Sequence, residues 1–373
     1  MPSSAEPRDP LRLLLIDSIR KWGGGQKWCV ETGRALAARG HGVVIACEAG
    51  SPLEQRALEG GLETWPARLR GPLGVLAAGK LGRFLDARRV DLCIANVGRD
   101  VFVGALACRG RRTRLLQRRG LVRPVKRGPI SRWLYGRAVT RVIVNSLAIR
   151  DVMLDGARFL SADKFALIPN GVAPGAFQKD DGAAVRRELG IDAAVPLVAT
   201  VGRLAAMKGH ADLLRAWDLV LRDLPGAVLL VVGEGEEEQA LRRQAAGLSP
   251  PEAVRFLGFR RDARAVLSAI DVLALTSVRD EGCSNALLEA MALGVPAVVT
   301  RCGGLPYVVE DGRTGVVVPV GDAGAIAAAL LRLVRDPAGR AAMGAAARKL
   351  AESRYNLDAV TTLLEDLLQS LRP

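Results

Sequence analysis

Short hydrophobic runs alternate with stretches in which apolar residues recur at helical spacing, from one end of the chain to the other. That alternation is the pattern of βα units built around parallel sheets. The runs at 11–16, 43–47, 92–95, 114–117, 142–144 and 166–168 predict the strands of the first half. Those at 197–201, 228–232, 255–257, 272–275, 297–300 and 315–318 predict the strands of the second. Between the two sets lies Asn170-Gly-Val-Ala-Pro-Gly-Ala-Phe177, rich in Gly and Pro, so a boundary falls near 171–182. Both halves open alike. The first run leads through Gly23-Gly24-Gly25 into a helix, and the run at 197–201 leads through Gly202 and Gly209 into another. Each half therefore reads as a Rossmann-type α/β domain. The stretch 323–371 is mostly helical, and Tyr355-Asn-Leu-Asp358 introduces a last amphipathic helix on Leu357, Val360, Leu363, Leu364 and Leu367.

The length of 373 residues agrees with two domains, since single cores stop growing well before that size. No apolar run approaches the ~18–20 residues of a membrane-spanning helix. The first ten residues are polar and lack the features of a signal peptide, which predicts a cytoplasmic protein. The six cysteines are scattered without Cys-x-x-Cys spacing, which agrees with a reducing compartment and gives no structural zinc site. Charge changes the picture more. The net charge of +14 is uneven, +16 over residues 1–178 and −2 over the rest, and no acid occurs between Asp100 and Asp151, a stretch carrying thirteen Lys and Arg. A field of one sign attracts anionic partners.

In open α/β sheets, ligands bind beyond the carboxyl ends of the strands, so the residues after each predicted strand matter most. After 197–201 comes Gly202-Arg203-Leu-Ala-Ala-Met-Lys208-Gly209-His210, two fixed cations and two glycines at a helix entrance. Glycines admit a close backbone approach while guanidinium and ammonium neutralise oxygens, so the segment suits a diphosphate; a solvated basic turn is the plainer reading. Gly233-Glu234-Gly235 follows the next run and could admit a base or ribose, although alone it is weak. It does not complete Gly-x-Gly-x-x-Gly, nor does Gly23-Gly24-Gly25, and no Walker A loop is present.

The most specific segment is Glu281-Gly-Cys-Ser-Asn-Ala-Leu-Leu-Glu289, followed by Ala-Met-Ala-Leu-Gly294-Val-Pro296. Ser284 or Asn285 is set to cap a short helix that stops at Gly294 and Pro296. Apart from Glu289 that helix is apolar, so it is expected to be buried and its carboxylate to need partners. Ribose hydroxyls would supply them, as would a structural Arg. The free amides at the helix start would favour a phosphate.

These motifs resemble the retaining family 4 glycosyltransferases with the GT-B fold. Glu281 to Glu289 is similar to that family's Glu-x7-Glu motif, and the likeness extends to Gly303-Gly304 and Glu310-Asp-Gly-Arg-Thr-Gly315. Gly202-Arg203, Lys208-Gly209, Asn170-Gly171-Val172 and the early glycines fall in the same order, so the likeness covers nearly the whole chain. It implies two Rossmann-like domains facing a central cleft: 1–175 for acceptor, with a C-terminal helix at about 356–373 crossing back to it, and 176–355 for donor. It also implies that Glu289 holds ribose hydroxyls, that Glu281 holds the donor sugar, and that Arg203 and Lys208 stabilise the leaving diphosphate. Gly202, Glu234 and the backbone of Ser284, Asn285 and Ala286 would stand beside the donor. The resemblance implies neither metal nor cofactor, and the lack of an Asp-x-Asp motif agrees. The donor would be a nucleotide-diphosphate sugar.

Departures lie in the first half. Where many members carry a His-Gly pair, this chain has Arg119-Gly120. Its two histidines are His41, read as structural, and His210. Asp17, Asp100 and Arg119 are the acceptor-side candidates, although Asp100 can equally cap a helix at 101–108. The basic surplus points to an anionic or lipid-linked glycan acceptor, such as a lipopolysaccharide core, and to peripheral contact with the cytoplasmic face of an anionic membrane. A sugar-nucleotide epimerase of similar fold stays open. So does, in a different class, a basic nucleic-acid-binding protein, although few aromatics accompany the arginines.

Overall fold

The computed structural model describes residues 9–69, 73–173, 175, 178 and 182–373. Parts of the expected boundary, at 174, 176–177 and 179–181, lie outside the described residues. Contacts divide the chain into two units, Met1–Pro169 with Leu357–Pro373, and Asn170–Asn356.

The first unit holds seven strands: β1 Arg12–Asp17, β2 Gly42–Cys47, β3 Glu63–Pro66, β4 Leu92–Ala95, β5 Arg114–Arg119, β6 Val139–Val144 and β7 Phe165–Leu167. They form one sheet in the order β3-β2-β1-β4-β5-β6-β7, every neighbouring pair parallel. The central strands are buried on both faces, as parallel sheets require. Leu14, Ile16, Cys93, Ala95 and Leu115 pack on one side. Their neighbours Leu13, Leu15, Leu92, Ile94 and Leu116 pack on the other. This period of two is what turns continuous apolar runs into two cores.

The helix Leu357–Ser370 sends Val360, Leu364 and Leu368 into the second of these cores, beside Leu13, Leu15 and Leu36. A buried polar clasp adds specificity to that apolar seam. Glu365 accepts a hydrogen bond from Arg39 at 2.9 Å and lies 3.0 Å from His41 Nε2, while His41 Nδ1 accepts from the Leu11 amide at 3.1 Å. His41 is thus structural.

The second unit holds β8 Leu197–Val201, β9 Val228–Val232, β10 Val254–Gly258, β11 Val272–Leu275, β12 Ala297–Thr300 and β13 Gly315–Val318. Their order is β10-β9-β8-β11-β12-β13, again parallel throughout. In each unit the order reverses beside the first strand, between β1 and β4 and between β8 and β11. Such switch points leave a crevice at the carboxyl edge.

Two corrections follow for the first unit. The apolar pattern missed β3, whose Glu-Thr-Trp-Pro sequence is exposed or half-buried and sits at the sheet edge, where Pro and polar residues are tolerated. It also shortened β5 and β6: β5 runs on past its apolar run, pairing Arg118 with Ile143 and Arg119 with Val144, and β6 begins earlier, pairing Val139 with Leu115 and Arg141 with Leu116.

Candidate functional site

In the second unit the polar residues gather at the carboxyl ends of β8, β9 and β11. Gly209 makes this possible. Its φ of +65° and an approach so close that a Cβ would sit 2.0 Å from the Thr276 carbonyl oxygen leave room only for glycine. The Thr276 hydroxyl donates to the Gly209 carbonyl at 2.9 Å, tying the segment after β8 to the end of β11. Lys208 is thereby carried to Glu281: Nζ donates to Oε2 at 2.6 Å, and Ser277 Oγ donates to the same oxygen at 2.8 Å. Glu281 is 7% exposed, so its charge is held by a cation and a hydroxyl rather than by bulk water.

Gly233 makes the second close approach. A Cβ there would lie 1.9 Å from the Gly202 carbonyl oxygen, and the Gly202 amide donates to Val232 at 2.9 Å. The Leu204 amide donates to the Glu234 carbonyl at 2.9 Å, so the loops after β8 and β9 are laced together. Glu234 itself is exposed, its Oε1 3.4 Å from the Phe259 amide. Arg203 does not join Lys208. It pairs with Glu236 at 2.9 Å, and both side chains are more than half exposed.

The helix Asn285–Ala292 begins with Ser284, whose Oγ accepts from the Leu287 amide at 3.4 Å. Leu287, Leu288, Ala290, Met291 and Ala292 are buried. Asn285, Ala286 and Glu289 are only half-buried. The expectation that Glu289 is buried is thus corrected, and the reason is helical geometry: positions 285, 286 and 289 share the one edge that leaves the core. With the Leu287 amide taken by Ser284, the Asn285 and Ala286 amides are the first-turn donors that lack intrahelical acceptors and suit an anion. Asn170 braces this turn from outside the motif, donating to the Cys283 carbonyl at 2.9 Å and to Asn285 Oδ1 at 2.7 Å. His210, the first residue of the helix His210–Asp223 that follows β8, is buried, and burial together with Lys208 pulls its pKa down to about 4.

In the first unit a second polar group occupies the carboxyl ends of β1, β4 and β5. Asp17 ends β1 and is 1% exposed. Its Oδ1 accepts from the Ile19 amide at 2.9 Å, and its Oδ2 from Gln26 at 2.7 Å and Asn96 at 3.1 Å, so both oxygens are engaged. Gly24 and Gly25 are the first two residues of the helix Gly24–Ala38, with Gly23 at its cap. Asp100 is not a cap. The helix begins at Gly98 behind Val97, and Asp100 lies within its first turn. It is fully buried and accepts from the Ser18 amide at 2.9 Å. Burial raises its pKa to about 7, the Ser18 hydrogen bonds opposing. Arg119 turns to the backbone, donating to the carbonyls of Arg123 and, at 3.3 Å, Pro124. Its neighbour Arg118 is buried against the Trp28 ring, 4.9 Å from the centroid.

Of the donor-side residues read from sequence, Lys208, Glu281, Ser284, Asn285, Ala286 and Glu289 thus fall on the two loops and one helix that follow β8 and β11. Sequence reasoning missed Ser277 as a partner of Glu281, although it lies just past a strand end. It also missed Gln26, Asn96 and Ser18, which hold the acids of the first unit.

The profile described as glycosyl transferases group 1 matches residues 195–336, and that described as glycosyltransferase family 4 matches residues 22–175. Over 223 residues the chain is 35% identical to the GDP-mannose-dependent monoacylated alpha-(1-6)-phosphatidylinositol monomannoside mannosyltransferase of Corynebacterium glutamicum, covering 57% of this chain and 58% of that one. It is 33% identical over 185 residues to the lipopolysaccharide core biosynthesis glycosyltransferase LpsE of Rhizobium meliloti, covering 50% and 53%. The chain therefore spans little more than half the length of these relatives. In fold it is similar to Anabaena Alr3699/HepE, solved in complex with UDP-glucose, at a TM-score of 0.85 and 23% identity over 96% of this chain and 100% of that one. With one profile on each unit and this fold, the chain belongs to the group 1, family 4 glycosyltransferases of the GT-B class.

Proposed function

We propose that this protein is a retaining glycosyltransferase that moves a sugar from a nucleotide-diphosphate sugar to an anionic or lipid-linked glycan, the second unit taking the donor and the first the acceptor. The observation that carries the reading is Lys208 held at 2.6 Å from Glu281, beside the start of the helix that bears Glu289. A diphosphate at that helix start meets unpaired amides and the positive end of the helix dipole. Lys208 then neutralises charge that grows on the departing phosphate, which is where a fixed cation lowers the barrier most. Glu289 accepts the ribose hydroxyls from the half-exposed helix edge. Glu281 exchanges its hydrogen bond from Lys208 for one from a donor-sugar hydroxyl as the cation turns to phosphate. Arg203, tied to Glu236 at the exposed rim, closes on the diphosphate when donor binds. The work of a metal is done by the two cations, so chelator leaves the rate unchanged.

Membrane contact is part of the reading. Leu121 and Ile130 are 44% and 60% exposed within the acid-free basic stretch, next to exposed Arg123, Lys126 and Arg127. Basic residues at an anionic surface contribute about 1 kcal/mol each. Among the described residues no helix is long and apolar enough to cross a membrane. Assaying lipid-linked and soluble acceptors with a turned-over donor, and reading the product's anomeric configuration by NMR, tests acceptor class and stereochemistry together. Inversion, or transfer confined to neutral soluble acceptors, contradicts the reading.

A further inference from the structure

Among the described residues, the polar atoms at the carboxyl edge of the first unit that are buried without a hydrogen-bond partner include four on separate side chains, Asn96 Oδ1, Asp100 Oδ1, Gln117 Oε1 and Ser146 Oγ, with Arg119 Nε at the end of β5. Asp100, Gln117 and Ser146 are 0%, 2% and 3% exposed. A buried polar atom left unmet keeps its full desolvation penalty, and native proteins hold few of them. These four lie on, or just beyond the carboxyl ends of, neighbouring strands. Asn96 follows β4, whose Ala95 pairs with Gln117 of β5; Asp100 lies in the first turn of the helix after β4; Ser146 follows β6, which pairs with β5.

Their polarity is informative. Asn96 cannot turn its amide round, because its Nδ2 already donates to Asp17 Oδ2 at 3.1 Å, to the Gly25 carbonyl at 3.2 Å and to Cys29 Sγ at 3.0 Å. Its Oδ1 is therefore left as an acceptor. Asp100 is held through Oδ2 by the Ser18 amide, which leaves Oδ1. An acceptor oxygen needs a donor, and a phosphate brings only more acceptors. The charges around Asp100 are Asp17 on β1 and Arg99 on its own helix, with Cys29 of the helix Gly24–Ala38 also facing it. Arg99 is partly occupied by Ser18 Oγ at 3.2 Å, and Arg118 lies over Trp28.

We propose that this edge is a hydroxyl-recognition site in which Asn96, Asp100 and Gln117 accept hydrogen bonds from a neutral sugar or polyol portion of the acceptor. The anionic portion is bound elsewhere, by the basic stretch. The inference rests on the reading that the first unit takes the acceptor. A hydroxyl donating to Asp100 favours its ionised form, so binding strengthens as pH rises through the range in which the buried acid titrates.

Saturation-transfer NMR with methyl α-D-mannopyranoside, methyl β-D-glucopyranoside and inorganic phosphate tests it, in the presence of UDP and separately of GDP. One of the glycosides is expected to bind, more tightly at pH 8 than at pH 6, and phosphate is expected not to displace it. Asp100→Asn turns an acceptor into a donor and should weaken binding at least tenfold and abolish its pH dependence; Asn96→Ala should weaken it similarly. Thermal melting and nucleotide titration of the second unit verify that both variants are folded. Displacement by phosphate, unaltered glycoside binding in both variants, or no glycoside binding alongside normal nucleotide binding each overturns the proposal. Absence of any UDP or GDP binding instead overturns the donor reading on which it rests.

Discussion

Lys208 and Glu281 meet at one oxygen, and the proposed reaction gives them different tasks. Removing the ammonium in Lys208→Met strips the leaving diphosphate of its fixed charge, and kcat should fall about 10²–10³-fold, the loss typical of one electrostatic contact made in the transition state. Steady-state kinetics at saturating donor measure it, and a fall in donor affinity alone would contradict the role. Two buried titratable groups contribute to the pH dependence of stability with opposite signs. Asp100 titrates at about 7 when folded, above its ordinary value, so the native state holds a proton that the unfolded state gives up, and its contribution declines as pH rises from about 4 to 7. His210, pulled down to about 4, stays neutral when folded, so its contribution is present above about 6.5 and lost as pH falls toward 4. Calorimetry should find that Asp100→Asn gains most over wild type at pH 8. His210→Gln should flatten the acid limb. The charged residues of the donor motif were legible because their spacing is local. Asp100 was legible only as a polar residue after a strand, since its burial comes from β1 and Ser18, far away in sequence.

At the scale of elements, the strands of the second unit were readable almost residue by residue, because parallel strands buried on both faces are nearly unbroken apolar runs. The edge strand β3 was not, since Glu63 and Thr64 bear no core face and Pro66 argues against a strand. Glycine in the donor loops has a steric role that its sequence position only hints at. Gly209→Ala places a methyl against the Thr276 carbonyl in addition to the roughly 1–2 kcal/mol cost of a left-handed alanine. Gly190 has φ +61° and open space where a methyl would project, so Gly190→Ala meets the backbone cost alone. The first variant should melt well below the second and lose donor affinity, as Lys208 and Glu281 are forced apart. Equal melting temperatures would show that the loop moves freely.

For the whole molecule, charge divides the labour that the two sheets share in form. The second unit is close to neutral and carries the motif residues, whereas the first holds the basic stretch from Arg109 to Arg150. Binding to vesicles containing phosphatidylglycerol should therefore weaken steeply between low and physiological salt, and Arg123→Gln with Lys126→Gln and Arg127→Gln should remove much of it. Salt-independent binding would point to apolar insertion alone. The acceptor remained beyond the reach of the sequence, because the buried polar groups proposed to meet it come from the ends of β1, β4, β5 and β6 and show no spacing motif.

The central claim is that Glu289 anchors the nucleotide of a sugar donor. The most direct measurement is release of nucleotide diphosphate across a panel of UDP-, GDP- and ADP-sugars, with donor KM compared between wild type and Glu289→Ala. The account predicts turnover with one class of donor and a KM raised about 10–100-fold in the variant, the loss of roughly 1.4–2.8 kcal/mol of ribose contacts. Turnover of no donor in the panel, or a wild-type KM after Glu289→Ala, would contradict it.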